Sequence, residues 1–126
     1  RKVFEINPES AQAAYNLSVM LADRDTIESL EYSRQAMELG IDQPKYAYTY
    51  AFYLLRSGEN AKGQSVLEQT ISSFPAYPDA WLLLGSLFEQ RNDSTQALSV
   101  YERAIKLGSF GEEDQARFEQ KINSMK

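Results

Sequence analysis

The chain has 126 residues, 43% of them hydrophobic and 25% charged, a mixture that suits a folded globular domain and excludes disorder. It has no cysteine and no histidine, which removes disulfide frameworks, thiolate nucleophiles and zinc knuckles, together with the commonest general base and metal ligand; no cofactor and no metal are expected. Thirteen basic against eighteen acidic residues give a net charge of -5 with the cations scattered, and no apolar run approaches a membrane span of roughly 18 to 20 residues, so neither nucleic acid nor membrane insertion is expected.

In chain order, residues 1–10 read as the end of a preceding helix, because Val3-Phe4-Glu5-Ile6-Asn7-Pro8 carries apolar residues up to a terminating proline. With an arginine at position 1, the natural protein is expected to continue upstream. Residues 11–43 read as a helix pair broken at Asp23 to Asp25, with Asp25 and Glu28 spaced as a capping box. This stretch is acidic, since only Arg24 and Arg34 oppose Asp23, Asp25, Glu28, Glu31, Glu38 and Asp42. Residues 44–77 form a second pair, opened by Pro44 and broken at Ser57-Gly58-Glu59-Asn60. A third, 78–111, opens at Pro78 and breaks at Arg91-Asn92-Asp93-Ser94, with Leu84, Leu87 and Phe88 and then Leu98, Tyr101 and Ile105 at helical spacing. Gly40 and Gly108 follow the second helices where a left-handed cap is expected. Residues 112–126 begin with Glu112-Glu113-Asp114 and place Phe118, Ile122 and Met125 on one face, as a capping helix over an exposed apolar end requires.

The pairs repeat. Ala36-Met37-Glu38-Leu39-Gly40 aligns with Ala104-Ile105-Lys106-Leu107-Gly108 at a separation of 68, twice 34, with Thr70 to Phe74 at the midpoint. Small residues recur in three columns: Ser18, Ala51 and Gly85; Ser29, Gly63 and Ala97; Ala36, Thr70 and Ala104. They allow close helix approach, while Leu17, Tyr50, Leu84 and Leu21, Leu54, Phe88 supply the knobs. The segment from Tyr46 to Tyr53 is rich in strand formers, yet the register places Ala47, Tyr50, Ala51 and Leu54 on one helical face that matches Trp81, Leu84, Gly85 and Phe88. Helix is therefore predicted there, propensity being the weaker signal.

These residues resemble the tetratricopeptide repeat family. Trp81, Leu84-Gly85, Phe88, Ala97, Tyr101 and Ala104 stand at the family's spacing, and Pro75 closes the second unit. The first unit, from Asn7-Pro8-Glu9 onward, has Ala14 for the tryptophan and Ser18 for the glycine, and is one residue short in its internal turn. Ser33 stands where the family has a large residue, with Tyr32 beside it; Ser109 stands where proline is expected, and Gly63 costs its helix about 1 kcal/mol. The resemblance implies an all-α, right-handed superhelical solenoid of antiparallel helix pairs: three tetratricopeptide units (11–43, 44–77 and 78–111) plus the C-terminal capping helix.

It also implies that the first helix of each unit lines a concave groove that holds a protein or peptide segment. The inward positions are Gln12, Tyr15, Asn16, Val19 and Asp23, then Lys45, Tyr48, Thr49, Phe52 and Arg56, then Asp79, Leu82, Leu83, Ser86 and Glu89. Of these, Tyr15, Asn16, Val19, Lys45, Tyr48, Thr49, Phe52, Arg56, Leu82 and Ser86 are the candidate binding residues, suited to a partner offering apolar side chains. Asn16 falls where family members grip a peptide backbone, although a solvated surface asparagine accounts for it equally simply. The family's clamp for acidic chaperone tails is missing, since Tyr15, Val19, Thr49, Asp79 and Leu83 hold its places. Trp81 is assigned to the core. Pairs such as Glu28 with Glu31 and Glu112 with Glu113 are explained by helix-start electrostatics, and no phosphate loop, nucleophile elbow or metal spacing is present, so catalysis is not expected. The reading is a non-catalytic binding scaffold; a spacer or self-association module of a larger, even enzymatic, protein, with a homodimer covering the aromatic stripe, is the alternative.

Overall fold

The computed structural model describes residues 10–126. The helix end expected over Val3 to Pro8 lies outside the described residues. Seven helices and no strand occur among them: α1 (Ala11–Leu21), α2 (Thr26–Leu39), α3 (Pro44–Arg56), α4 (Asn60–Ser73), α5 (Pro78–Gln90), α6 (Ser94–Leu107) and α7 (Glu112–Met125). The chain divides into two compact units, Arg1–Val66 and Leu67–Lys126, with α4 running across the division.

In the first unit α1 packs on α2 and α2 on α3. Ser10 caps α1, its Oγ accepting from the Ala13 amide at 2.9 Å, and Asp25 caps α2 by accepting from the Glu28 amide at 3.1 Å. The first pair is one residue short, but not in its turn: α1 has 11 residues where α3 has 13, while the turn after it, 22–25, is longer than 57–59 and closes with the Asp25 amide on the Leu21 carbonyl at 2.8 Å. The small columns meet as expected. Ser18 and Ser29 are both fully buried, and the Ser29 hydroxyl donates to the Ser18 carbonyl at 2.8 Å, so a pair of serines brings two helices together without an orphaned polar group. Tyr32 and Ser33 are both buried, and the Ser33 hydroxyl donates to the Leu30 carbonyl at 2.9 Å.

The aromatic run from Tyr46 to Tyr53 is helical, with Pro44 in the first turn. Tyr50, Ala51 and Leu54 are buried as expected and Ala47 is half-buried, and Tyr46 joins them in the core, clustered with Ala14 and Ala36. A side chain at Gly63 would put its Cβ 2.6 Å from Leu55 Cδ2, so its helix-propensity cost is the condition for α4 to approach α3.

In the second unit α5 packs on α6 and α6 on α7. Trp81 and Leu84 are buried, as are Gly85 and Phe88, and the Trp81 indole donates to the Pro75 carbonyl at 2.8 Å, tying the loop to the core. Asp93 caps α6 through the Gln96 amide at 3.1 Å. Gly85 faces the Tyr101 ring, whose hydroxyl donates to the Glu89 carboxylate. Phe118 is the buried residue of α7 and stacks on Phe110 at 5.0 Å, while Ile122 and Met125 are half-buried.

The glycine caps differ from expectation. Gly40 (φ -111°) and Gly108 (φ -78°) end α2 and α6 without entering the left-handed region. Both are glycines for want of room: a Cβ would stand 2.6 Å from the Tyr46 ring at Gly40 and would overlap the Phe110 ring at Gly108. Positive φ falls instead at Gly58 (86°), Asn92 (60°) and Ser109 (54°). The first two close the turns within helix pairs.

Candidate functional site

Of the candidate residues of the first unit, Asn16, Val19, Lys45, Phe52 and Arg56 are exposed, whereas Tyr15, Tyr48 and Thr49 are half-buried and Tyr15 packs against the core of Ala14, Ala36 and Tyr46. On α1, Tyr15, Asn16 and Val19 alternate with buried Ala14 and Ser18; on α3, Lys45, Tyr48, Thr49, Phe52 and Arg56 alternate with buried Tyr46, Tyr50, Ala51 and Leu54. Val19 is 47% exposed and Phe52 38% exposed.

Contacts between the two helices order this face. Tyr46 donates its hydroxyl to Gln12 Oε1 at 3.1 Å, and Gln12 Nε2 donates to Asn16 Oδ1 at 3.0 Å, which leaves the Asn16 Nδ2 group as the donor presented outward. Tyr15 and Tyr46 lie 5.5 Å apart with tilted rings, and Lys45 Nζ stands 4.7 Å from the Tyr15 centroid and 5.3 Å from that of Tyr46, within cation–π range. At the other end Tyr48 and Phe52 stack at 6.5 Å, and Phe52 meets Tyr53 edge-on at 5.7 Å. Arg56 lies 5.9 Å over Phe52 and reaches Asp23 of the α1–α2 turn at 3.2 Å. Burial pushes the Tyr53 hydroxyl above its usual pKa; the charges of Tyr15 and Asp23 add to that and Arg56 opposes it. Thr49 donates to the Lys45 carbonyl at 2.8 Å, so its hydroxyl serves its own helix.

Leu82 and Ser86 stand half-buried on α5 in the second unit, 34 residues after Tyr48 and Phe52. Glu31 and Glu38 both accept from Arg34, whose pKa these hydrogen bonds raise, and Glu112 and Glu113 lie in the first turn of α7. Among the described residues no group of three or more carboxylates could hold a metal ion, and no helix is long and apolar enough to cross a membrane.

Two features were not legible in the sequence. A cleft of about 520 Å³ in the second unit is lined by Glu68, Ile71, Ser72, Pro75, Trp81, Arg103 and Leu107. Arg103 lies 5.5 Å over the indole there, and Leu107 is 54% exposed. Ile27, in the first turn of α2, and Ile41, in the turn between α2 and α3, are 81% and 78% exposed, although hydrophobicity alone would send an isoleucine inward.

A model of the tetratricopeptide repeat family matches residues 51–112. Residues 51–112 belong to that family. Among solved structures it is similar to MamA, with 18% identity and a TM-score of 0.75 over 98% of this chain and 71% of MamA. It is similar to YrrB, described as a TPR protein with an unusual peptide-binding site, with 18% identity and a TM-score of 0.69 over 98% of this chain and 62% of YrrB. The Sgt2 TPR domain from Aspergillus fumigatus aligns with 20% identity and a TM-score of 0.70 over 91% of this chain and 76% of that domain. These likenesses carry the all-α helical-repeat fold. No curated protein sequence matches the chain.

Proposed function

We propose that this chain is a non-catalytic protein-binding module, and that the face made by α1 and α3 receives a partner segment through apolar side chains. The observation that carries the proposal is the exposed strip of Val19 and Phe52, with Tyr48 stacked on Phe52 and a cation at either end of α3. A fold that buries Trp81, Tyr101 and Phe118 completely still leaves Val19 47% and Phe52 38% exposed, and exposed apolar patches mark interaction sites. Membership of residues 51–112 in the repeat family supports the reading, as does the peptide-binding site named for YrrB. Leu82 and Ser86, at the corresponding positions of the next repeat, are proposed as binding residues of the second unit.

Random peptides displayed on phage and selected against the chain test this directly. Phe52→Ala and Tyr48→Ala are each expected to weaken selected peptides by about 1 to 3 kcal/mol in fluorescence anisotropy. Affinities unchanged by both substitutions would remove the assignment. Self-association is the second reading, favoured by the exposure of Ile27 and Ile41. A mass that doubles with concentration and returns to the monomer in Ile27→Asp or Ile41→Asp would establish it.

A further inference from the structure

The charged ends of the α1–α3 face narrow the kind of segment it takes; this step rests on the reading above. Lys45, Phe52 and Arg56 stand at positions i, i+7 and i+11 of α3. On a helix rising about 1.5 Å per residue they share one stripe, with Phe52 about 10 Å and Arg56 about 16 Å along the axis from Lys45. Both cations lean toward α1, Lys45 over the Tyr15 ring and Arg56 onto Asp23. Lys45 makes no ion pair among the described residues. The Asp23 that holds Arg56 has its side chain 88% exposed. Such a water-screened pair is weak, and another carboxylate displaces it at little cost.

An extended segment advances about 3.3 Å per residue and turns alternate side chains to opposite sides. Spans of about 10 and 16 Å then fall at about three and five residues, both odd, so a group that meets Phe52 or Arg56 would point away from the one that meets Lys45. A polyproline helix, three residues per turn at about 3.1 Å each, brings round the third residue and not the fifth. An α-helix lying along α3 shares its rise and period, so its own positions i, i+7 and i+11 come to one side together. We infer that the occupant of this face is an amphipathic helix with two carboxylates eleven residues apart, toward Lys45 and Arg56, and apolar residues between them toward Phe52 and Val19. The whole chain carries a net charge of -5 and does not draw acidic segments in from a distance, so the two cations act on register at close range.

The test uses 16-residue peptides of random sequence displayed on phage and selected against the intact chain, then synthesised and measured by anisotropy and circular dichroism. Selected peptides are expected to gain helix on binding and to carry Asp or Glu eleven residues apart. Lys45→Gln and Arg56→Gln should each lower their affinity about two- to fivefold, and Asp23→Asn, which frees Arg56, should raise it about twofold. Peptides that need Phe52 yet bind as extended chains, or that ignore both cation substitutions, would overturn the helix-and-carboxylate inference and leave the binding face standing. Selected peptides indifferent to Phe52 as well, or no selected peptide at all, would overturn both.

Discussion

Gly85 offers a test in which two well-founded rules predict opposite signs. Helix propensity alone says that Gly85→Ala, in the interior of α5, stabilises by about 1 kcal/mol. The structure says otherwise, because the new Cβ would overlap the Tyr101 ring and stand 2.7 Å from its hydroxyl oxygen. That ring has nowhere to go. It is fully buried, lies 6.2 Å from Phe118, and donates to Glu89, whose carboxylate also faces Lys121 at 4.0 Å. Overpacking of about 1 to 3 kcal/mol, with about 1.5 to 3 kcal/mol at risk in the hydrogen bond to a charged group, outweighs the propensity gain and leaves a net loss of about 1.5 to 5 kcal/mol. At this size the middle of that range is a fall of roughly 10 °C in Tm, read from the helical circular dichroism signal. The register supplies the rescue: the corresponding two positions of the preceding repeat hold Ala51 and Leu67, so Gly85→Ala with Tyr101→Leu should be less damaging than the two single losses added together, by about 1 to 2 kcal/mol. A single Gly85→Ala variant that melts higher than the parent would refute the reasoning.

Three other outcomes follow from the same packing. Trp81→Ala should cost about 3 to 5 kcal/mol in urea unfolding, since it empties a buried site and removes the donor to Pro75; a loss below about 1 kcal/mol would place the indole at the surface. Gly40→Ala should cost about 1 to 3 kcal/mol through its clash with Tyr46, and Gly40→Asn should be no better, whereas Gly58→Asn should lose less than Gly58→Ala because only backbone sign matters at that open turn. Burial, and then the hydrogen bond to Glu89, raise the Tyr101 pKa above its ordinary value of 10.0. The unfolded tyrosine therefore loses its proton first, and stability that is complete below pH 10 falls as the pH climbs further. Tyr101→Phe should remove part of that alkaline slope in pH-dependent unfolding, with the raised Tyr53 left to supply a remainder of the same sign.

Much of this architecture can be read from sequence because its determinants are local or periodic. Pro44 and Pro78 open helices, Asp25 and Asp93 cap them, and the 34-residue register outweighs the strand-forming run from Tyr46 to Tyr53. The glycines show where that legibility stops. Gly40 and Gly108 look like left-handed caps, but what requires them is the ring of Tyr46 in one case and of Phe110 in the other, and a clash with a particular ring depends on rotamers and helix crossing. The candidate face divides the same way. Helical spacing places Asn16, Val19, Lys45, Phe52 and Arg56 outward, whereas the reach of Lys45 across to Tyr15 and of Arg56 to Asp23 depends on how two helices meet. The cleft around Arg103 and Leu107 is volume left between elements, and no residue pattern announces a gap.

The most direct test of the binding account is an amide chemical-shift map of the isotopically labelled chain titrated with a selected peptide. The account predicts shifts concentrated on α1 from Tyr15 to Val19 and on α3 from Lys45 to Arg56. Shifts confined to Ile27, Ile41 or the surroundings of Leu107, with Tyr48 and Phe52 unmoved, would contradict it.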